Sequence, residues 1–177
     1  MRKSDSEEGM KVKFVADGML GKLTRWLRML GYDVKYSNNL DDAQLIAIAK
    51  KEDKILLTRD MELYQQATAK SCEAFYTEGK NEAERLAQLA KRFNIELNID
   101  MTKSRCPKCN VQVEPTAKEK VAEKVGKNTF TNYEEFWKCP ECEQIYWQGT
   151  HWIKIRKTLD AAKDNLKKLQ KQKRQLP

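Results

Sequence analysis

The sequence lacks any apolar run that approaches the roughly 20 residues needed to cross a bilayer. With 34% charged residues and a mean hydropathy of −0.80, its composition is typical of a soluble, polar protein. Residues 1–10 are polar and of mixed charge, without the apolar centre of a signal peptide, and we expect a short disordered lead there. These absences predict no membrane partner and a cytoplasmic location.

Cysteine and histidine are also scarce, with five cysteines and a single histidine, His151. An odd cysteine count that includes two CxxC pairs does not fit a secreted disulfide framework, and it favours a reducing compartment in which thiolates hold a metal. The fifth cysteine, Cys72, stands alone before a predicted strand, and we interpret it as a buried apolar residue.

Positive charge exceeds negative charge, and the excess is concentrated near the end of the chain. The formal net charge is +8, and residues 156–177 hold eight basic residues against Asp160 and Asp164. A basic tail without lipidation or a membrane segment favours nucleic acid as the partner. The alternative is a lysine-rich helix that serves solubility.

Apolar patterning in the first half of the chain alternates between short strands and amphipathic helices. The predicted order is strand 12–16, helix 19–30, strand 33–36, a helix from Asp41 or Asp42, strand 54–58, helix 61–69, strand 73–77 and helix 81–93. Short connections and nearly all-apolar strands are typical of a mostly parallel sheet covered by helices on both faces. We therefore predict an α/β fold.

The composition changes near residues 99–104, which we take as a domain boundary. The predicted organisation is a disordered lead at 1–10, an α/β domain at 11–99, a cysteine-containing module at 104–157 and a basic helix or tail at 158–177.

Two CPxC motifs, separated by 29 residues, define the cysteine-containing module. Their cysteines are Cys106, Cys109, Cys139 and Cys142. Two such turns complete a tetrahedral shell with no open position, so we predict one structural zinc ion in a zinc ribbon. A redox CxxC needs only one pair and usually lies within a βαβ unit, which does not describe this pattern.

The module also holds seven aromatic residues, some of which must pack its small core. They are Phe130, Tyr133, Phe136, Trp137, Tyr146, Trp147 and Trp152. The others could stack on RNA bases, with lysines such as Lys138 beside them for phosphates. Because four thiolates already complete the zinc shell, His151 is interpreted as a hydrogen-bonding or RNA-contacting residue and not as a ligand.

Three aspartates occupy equivalent places in the predicted α/β domain. Asp17 follows the first strand, Asp42 opens the helix after the second, and Asp60 follows the third. The carboxyl ends of parallel strands lie at one edge, where ligands bind, so these carboxylates can converge. Oxygen ligands suit Mg²⁺ or Mn²⁺, which activate water for phosphodiester cleavage. Each aspartate could instead serve only as a helix cap or turn residue.

Three features stand out within about residues 12–157: the block FVADGMLGKLTRWLRMLGYDV, the block DDAQLIAIAKKEDKILLTRD and the two CPxC motifs. Together they resemble the Mut-seven C-terminal RNase domain family. The resemblance implies a PIN-like three-layer domain with a fused zinc ribbon. The basic C-terminal helix, predicted from residue spacing, would follow these two parts. The resemblance also implies divalent-metal-dependent RNA cleavage, with a ribbon that helps to bind RNA.

The resemblance also identifies candidate catalytic residues. PIN domains carry one acid in a helix-opening motif and another in a T-R-D motif eighteen residues later, which match Asp42 and Asp60, while Asp17 matches the acid after the first strand. Many PIN domains have a further glutamate between the first and third acids, and none stands between Asp17 and Asp42 here. Asp41 or Asp33 could replace it.

The first helix offers a substrate surface beside its apolar side. Lys22, Arg25 and Arg28 recur every three residues and begin close to Asp17, so they could hold an RNA backbone. Arg59, between Thr58 and Asp60, is a further candidate for a phosphate contact. Ordinary surface arginines are the alternative interpretation.

The sequence therefore predicts a metal-dependent ribonuclease that needs Mg²⁺ or Mn²⁺, because no histidine lies near its acids in the sequence to act as a general base. No organic cofactor is expected. The expected partner is RNA, with ribosomal RNA or the ribosome as a candidate. The alternatives are a non-catalytic RNA- or ribosome-binding zinc-ribbon protein and a PIN-like DNA nuclease.

Overall fold

A computed structural model of the protein describes residues 11–172, so the expected lead at 1–10 and the last five residues lie outside it. The first half forms a sheet of four strands, which are β1 Phe14–Ala16, β2 Val34–Tyr36, β3 Ile55–Thr58 and β4 Ala74–Tyr76. All neighbouring strands are parallel, in the order β2-β1-β3-β4. The predicted α/β class with a parallel sheet is confirmed.

Six helices accompany the strands. They are α1 Gly21–Met29, α2 Asp42–Lys51, α3 Met61–Ala69, α4 Glu82–Phe93, α5 Lys127–Asn132 and α6 His151–Gln172. Successive residues of β1 point to opposite faces of the sheet, as the strand geometry requires. Phe14 packs with residues of α1, α4 and α6, whereas Val15 packs with residues of α2 and α3. The sheet is therefore covered on both faces.

Helix α1 is preceded by a single 3₁₀ turn, Gly18–Leu20, so it begins two residues later than the expected Met19. Leu23 and Leu27 are buried on its inner side. The chain then turns through Gly31, whose φ of 89° favours glycine and whose Cβ, if present, would lie 2.8 Å from the Lys103 carbonyl oxygen.

The cysteine-containing segment forms a second, antiparallel sheet. Its strands are β5 Glu114–Thr116, β6 Phe136–Lys138 and β7 Ile145–Tyr146, in the order β5-β6-β7. Phe136 is 2% exposed and packs with Val121 and Ile145, with Trp147 against it at a ring-centroid distance of 6.4 Å. Some of the aromatic residues therefore form the small core of this segment, as expected.

Helix α6 begins at His151, whereas the sequence predicted the basic helix from residue 158. Leu159 and Ala162 are buried in the same core as α1 and α4. This helix is therefore an integral part of the α/β packing. No helix within residues 11–172 is both long and apolar enough to cross a membrane.

Candidate active site and metal centre

Asp17 lies at the end of β1 and is held by three hydrogen bonds. Its Oδ1 accepts from the amide of Met19 at 2.8 Å, and its Oδ2 accepts from the amide of Arg59 at 3.1 Å and from the Thr58 hydroxyl. The residue is only 5% exposed. This buried carboxylate is fixed in place before any ligand binds.

Asp60 lies just beyond the end of β3 and caps α3. Its Oδ1 accepts from the amides of Glu62 and Leu63 at 2.8 and 3.2 Å. Its own amide donates to the Thr58 hydroxyl at 2.9 Å, and this hydroxyl in turn donates to Asp17. Thr58, which sequence reasoning did not select, therefore joins the two acids. Its position at the end of β3, inside the ILLTRD block, was the available signal.

The strand order places these two acids at a topological switch point. The chain passes from β1 to β2 on one side and reaches β3 on the other side, so β1 and β3 are neighbours from which the connections diverge. Asp17 and Asp60 follow these two strands. Crevices at such points are where α/β sheets bind ligands.

Asp41 and Asp42 stand at the start of α2, which follows β2 at the same edge of the sheet. Asp41 is the N-cap, and its side chain accepts from the amide of Gln44 at 2.8 Å in a reciprocal capping box. Asp42 is the first helical residue, and within residues 11–172 its carboxylate accepts no hydrogen bond. The sequence allowed either aspartate to be the N-cap of α2, and the structure shows that it is Asp41.

The acids share an edge but do not form a tight cluster. In the described part of the chain, only one group of three or more His, Cys, Asp or Glu residues has ligand atoms within 4.8 Å of one another, and this group contains no aspartate. Asp33, the other substitute considered for the missing glutamate, lies at the opposite edge, where Lys54 donates to it at 3.0 Å.

A basic depression of about 710 Å³ lies beside Asp17. Its cationic lining residues are Lys22, Arg25, Arg59, Lys80 and Arg85. Glu82 is the acid of this lining, and it is paired with Arg85 at 2.5 Å. Three of the cations were expected from the sequence, whereas Lys80 and Arg85 are brought there by the loop after β4 and by α4. We call these five side chains the basic groove.

Arg28 is placed elsewhere than the predicted RNA surface. It is 6% exposed, and its guanidinium donates to the Val34 carbonyl at 2.8 and 3.1 Å. It also donates to the carbonyls of Pro107 and Lys108, inside the first CPxC turn, at 2.9 and 3.0 Å. Burial lowers the pKa of this guanidinium. Arg28 therefore fastens α1 to the cysteine segment and lies outside the basic groove.

The four cysteines come together as the sequence predicted. The sulfur atoms of Cys106, Cys109, Cys139 and Cys142 lie within 4.8 Å of one another, and Cys106 and Cys139 are fully buried. Four sulfur donors so close together are positioned to hold one metal ion, and the arrangement is consistent with a structural zinc site. The zinc-ribbon fold is confirmed at this level.

The two CPxC turns have the same backbone hydrogen-bonding pattern. In the first, the amide of Asn110 donates to the Cys106 carbonyl at 2.9 Å. In the second, the amide of Glu143 donates to the Cys139 carbonyl at 3.0 Å. Asn110 and Glu143 both take the left-handed conformation, with φ of 67° and 60°. Each of these equivalent turns therefore contributes two sulfur atoms to the four-cysteine cluster.

Neighbouring groups support the sulfur cluster. The Tyr146 hydroxyl and the Cys106 sulfur share a hydrogen bond of 3.0 Å. Burial, and to a lesser extent this bond, raises the pKa of Tyr146. A backbone hydrogen bond from Gln144, together with the adjacent thiols, lowers the pKa of Cys142 to about 7. Metal binding requires deprotonated sulfur, which this lowered pKa favours at Cys142.

The remaining predicted RNA contacts lie on or near the ribbon. Lys138 is paired with Glu143 at 2.5 Å. Trp147, His151 and Trp152 line one cavity at the junction of the ribbon and α6. Lys138 is not among the residues that line this cavity.

The geometry defines a class of protein, an α/β domain with acids at a sheet switch point and a four-cysteine metal centre. The model of the Mut7-C RNAse domain matches residues 12–159, and the chain belongs to this family. Comparison with curated proteins and with solved structures finds no match. The family points to a nuclease-like function with RNA as the substrate.

Proposed function

We propose that the protein is a metal-dependent ribonuclease whose acidic site contains Asp17, Asp60 and Asp42. The observation that carries the proposal is the pair Asp17 and Asp60, joined through the Thr58 hydroxyl at the switch point and flanked by the basic groove. The ribbon would hold one structural zinc ion through its four cysteines.

The donor chemistry fits Mg²⁺ or Mn²⁺. Asp17 and Asp60 offer hard oxygen donors, and the Oδ2 of Asp60 accepts no hydrogen bond from the described residues. Mg²⁺ commonly uses one or two protein carboxylates and keeps several waters, so it does not require the aspartates to form a tight cluster. A cation bound here supplies a more acidic water and neutralises charge that develops on phosphate.

The chain's own residues would bind and orient the RNA. Lys22, Arg25 and Arg59 line the basic groove from α1 and from the end of β3, where they can hold successive phosphates. The three hydrogen bonds to Asp17 keep its carboxylate fixed while the backbone crosses the site. Fixed charges of this kind cost no reorganisation during the reaction.

A non-catalytic RNA-binding protein is the second candidate. It is favoured by the spacing of the acids, which form no group within 4.8 Å in the described residues, and by the capping bonds of Asp60. A nuclease assay with Mn²⁺ on single-stranded RNA, structured RNA and DNA separates the two candidates. RNA cleavage supports the proposal, preferential DNA cleavage would favour a DNA nuclease, and no cleavage would favour the binding protein.

The basic groove is expected to contribute phosphate contacts. The double variant Lys22→Gln, Arg25→Gln should weaken binding of single-stranded RNA and reduce the slope of log K against log salt by about 1.4, since each lost contact contributes about 0.7. The double variant Lys51→Gln, Lys70→Gln, at two exposed positions outside the groove, removes the same charge and is the matched control. A salt slope that is unchanged in fluorescence anisotropy would contradict the prediction that the basic groove contacts RNA phosphates.

Exposed lysines near the end of α6 are expected to add affinity without sequence preference. The triple variant Lys167→Gln, Lys168→Gln, Lys171→Gln should flatten the salt dependence of RNA binding. Substitution is preferable to deletion of residues 158–177, because Leu159 and Ala162 belong to the core. RNA binding with the parental salt slope would show that this charge serves solubility.

A further inference from the structure

A cavity of about 610 Å³ lies where the ribbon meets the end of α1 and the start of α6. This volume is within the range of about 300–1,000 Å³ that is typical of small-molecule sites. Its aromatic lining consists of Tyr133, Tyr146, Trp147 and Trp152. We call it the junction cavity.

We propose that the junction cavity takes one unpaired nucleobase of an RNA strand that continues through the basic groove. This inference rests on the proposed RNA-binding function and deepens it, because it predicts a preference for single-stranded over duplex RNA. A base inside a duplex cannot enter a cavity in the protein without leaving its stack.

The lining combines the two features that recognise a base. Indole and phenol rings supply faces on which a base can stack, a contact of about 1–3 kcal/mol per base. Of the amide side chains in this lining, Gln144 already accepts from Lys108 and donates to the Ile145 carbonyl. Within residues 11–172, the Asn128 amide and the Asn132 Oδ1 have no hydrogen-bond partner and are left to meet a ligand. Such groups suit the hydrogen-bonding edge of a base better than a purely apolar ligand.

A further depression along α1 and α6 lies between the junction cavity and the acidic edge. That intermediate depression is lined by Trp26, Asn81, Glu82 and Lys157, and it shares Asn81 and Glu82 with the depression of the basic groove. Trp26 lies one helical turn before Met29, which lines the junction cavity.

The same stepwise relation holds on α6. Thr158 lines the intermediate depression, and Ile155, one turn earlier, lines the junction cavity. One strand can therefore place its phosphates on the basic groove and an unstacked base in the junction cavity, with Lys157 between them.

The test uses the full zinc-loaded chain carrying Asp60→Asn, so that RNA is not cut, and single-stranded RNA of about 8 nucleotides. Adding Trp152→Ala is expected to weaken binding about tenfold in fluorescence anisotropy, because a stacking contact is lost. The salt slope should be unchanged, since no phosphate contact is removed. Binding of a blunt RNA duplex of equal length should be unaffected. Ile153→Ala, which is 60% exposed and outside the cavity lining, is the matched control.

Trp152→Ala also removes a hydrogen bond, because the Trp152 indole donates to the Trp147 carbonyl at 3.0 Å, so a second pair of variants is needed. Asn132 and Thr131 each donate to a carbonyl one turn earlier in α5, so replacing either one costs an equivalent bond. Asn132→Leu adds apolar bulk from an exposed lining position and should also weaken single-strand binding, whereas Thr131→Leu, the exposed neighbour outside the lining, should not. Parental affinity in Asn132→Leu, or an equal loss for duplex RNA, would overturn the proposal. The binding measurements are made in the Asp60→Asn background and do not depend on RNA cleavage. Failure of this inference can therefore be told apart from failure of the proposed nuclease activity.

Discussion

Asp60→Asn is expected to remove RNA cleavage while leaving the fold and RNA affinity close to those of the parent protein. The Asp60 Oδ1 accepts two amide bonds as the cap of α3, and asparagine is an equally good N-cap. What the substitution removes is the negative charge that would bind a divalent cation. Loss of several kcal/mol of charge stabilisation lowers the rate by about a hundredfold or more.

The matched control is Asp53→Asn, at the opposite end of β3. Asp53 has φ of 51°, a conformation that asparagine accepts well, and the same charge is removed far from the acidic edge. Cleavage is measured at fixed Mn²⁺ with a labelled RNA, and stability by thermal unfolding. Parental cleavage in Asp60→Asn would place the active site elsewhere or assign the activity to a contaminant.

Asp17→Asn should also remove cleavage, but with a cost to stability. The Asp17 carboxylate accepts from Thr58 and from the Arg59 amide through one oxygen, and an amide NH₂ at that position would face donors. An unsatisfied buried donor costs about 1–3 kcal/mol. Asp60 is therefore the cleaner test, a distinction that the sequence alone could not make because both aspartates follow a strand and precede a helix.

Asp41→Asn tests the replacement for the missing glutamate. The capping box of Asp41 tolerates asparagine, so a purely structural role predicts unchanged cleavage, and a share in the metal site predicts a partial loss.

The α/β alternation and the cysteine site could be predicted because each depends on local spacing. Short apolar strands before amphipathic helices specify a parallel sheet, and each CPxC turn brings its own two sulfurs together. Arg28 could not be placed in this way. Its spacing from Lys22 and Arg25 is regular, but its guanidinium is buried by carbonyls of Pro107 and Lys108, about 80 residues away, and only the packing of the ribbon decides this.

Thr58 and Lys80 were missed for a similar reason. The role of Thr58 depends on Asp17, which lies on the neighbouring strand, and the pairing of β1 with β3 follows from the sheet order. Lys80 joins the basic groove because β4 ends at the same edge. The boundary of α6 was misplaced because its first turn carries Trp152, which the aromatic pattern assigned to the ribbon.

Loss of the zinc ion should destabilise more of the protein than the ribbon. The ribbon has two small hydrophobic clusters, one of them built around Cys106 and Cys139 themselves, so a metal bound by these cysteines would supply much of its folding energy. Its first CPxC turn also completes the surroundings of Arg28 and Asp33. Burial opposes ionisation of Asp33, but hydrogen bonds from Asn110 and Lys54 outweigh it and hold its pKa below the ordinary value.

Cys139→Ser is therefore expected to lower the zinc content from about one ion per chain to well below that value. It should also reduce the unfolding temperature of the protein. If the first CPxC turn moves, the Arg28 guanidinium loses its bonds to Pro107 and Lys108 while it stays buried, a loss of about 1–3 kcal/mol in the α/β domain itself.

Cys72→Ser makes the same chemical change at a buried thiol outside the metal centre and should keep its zinc. Zinc content by mass spectrometry and thermal unfolding by circular dichroism provide the two measurements. Full zinc content in Cys139→Ser would contradict a four-sulfur site, and loss of zinc with an unchanged unfolding temperature would contradict the coupling through Arg28.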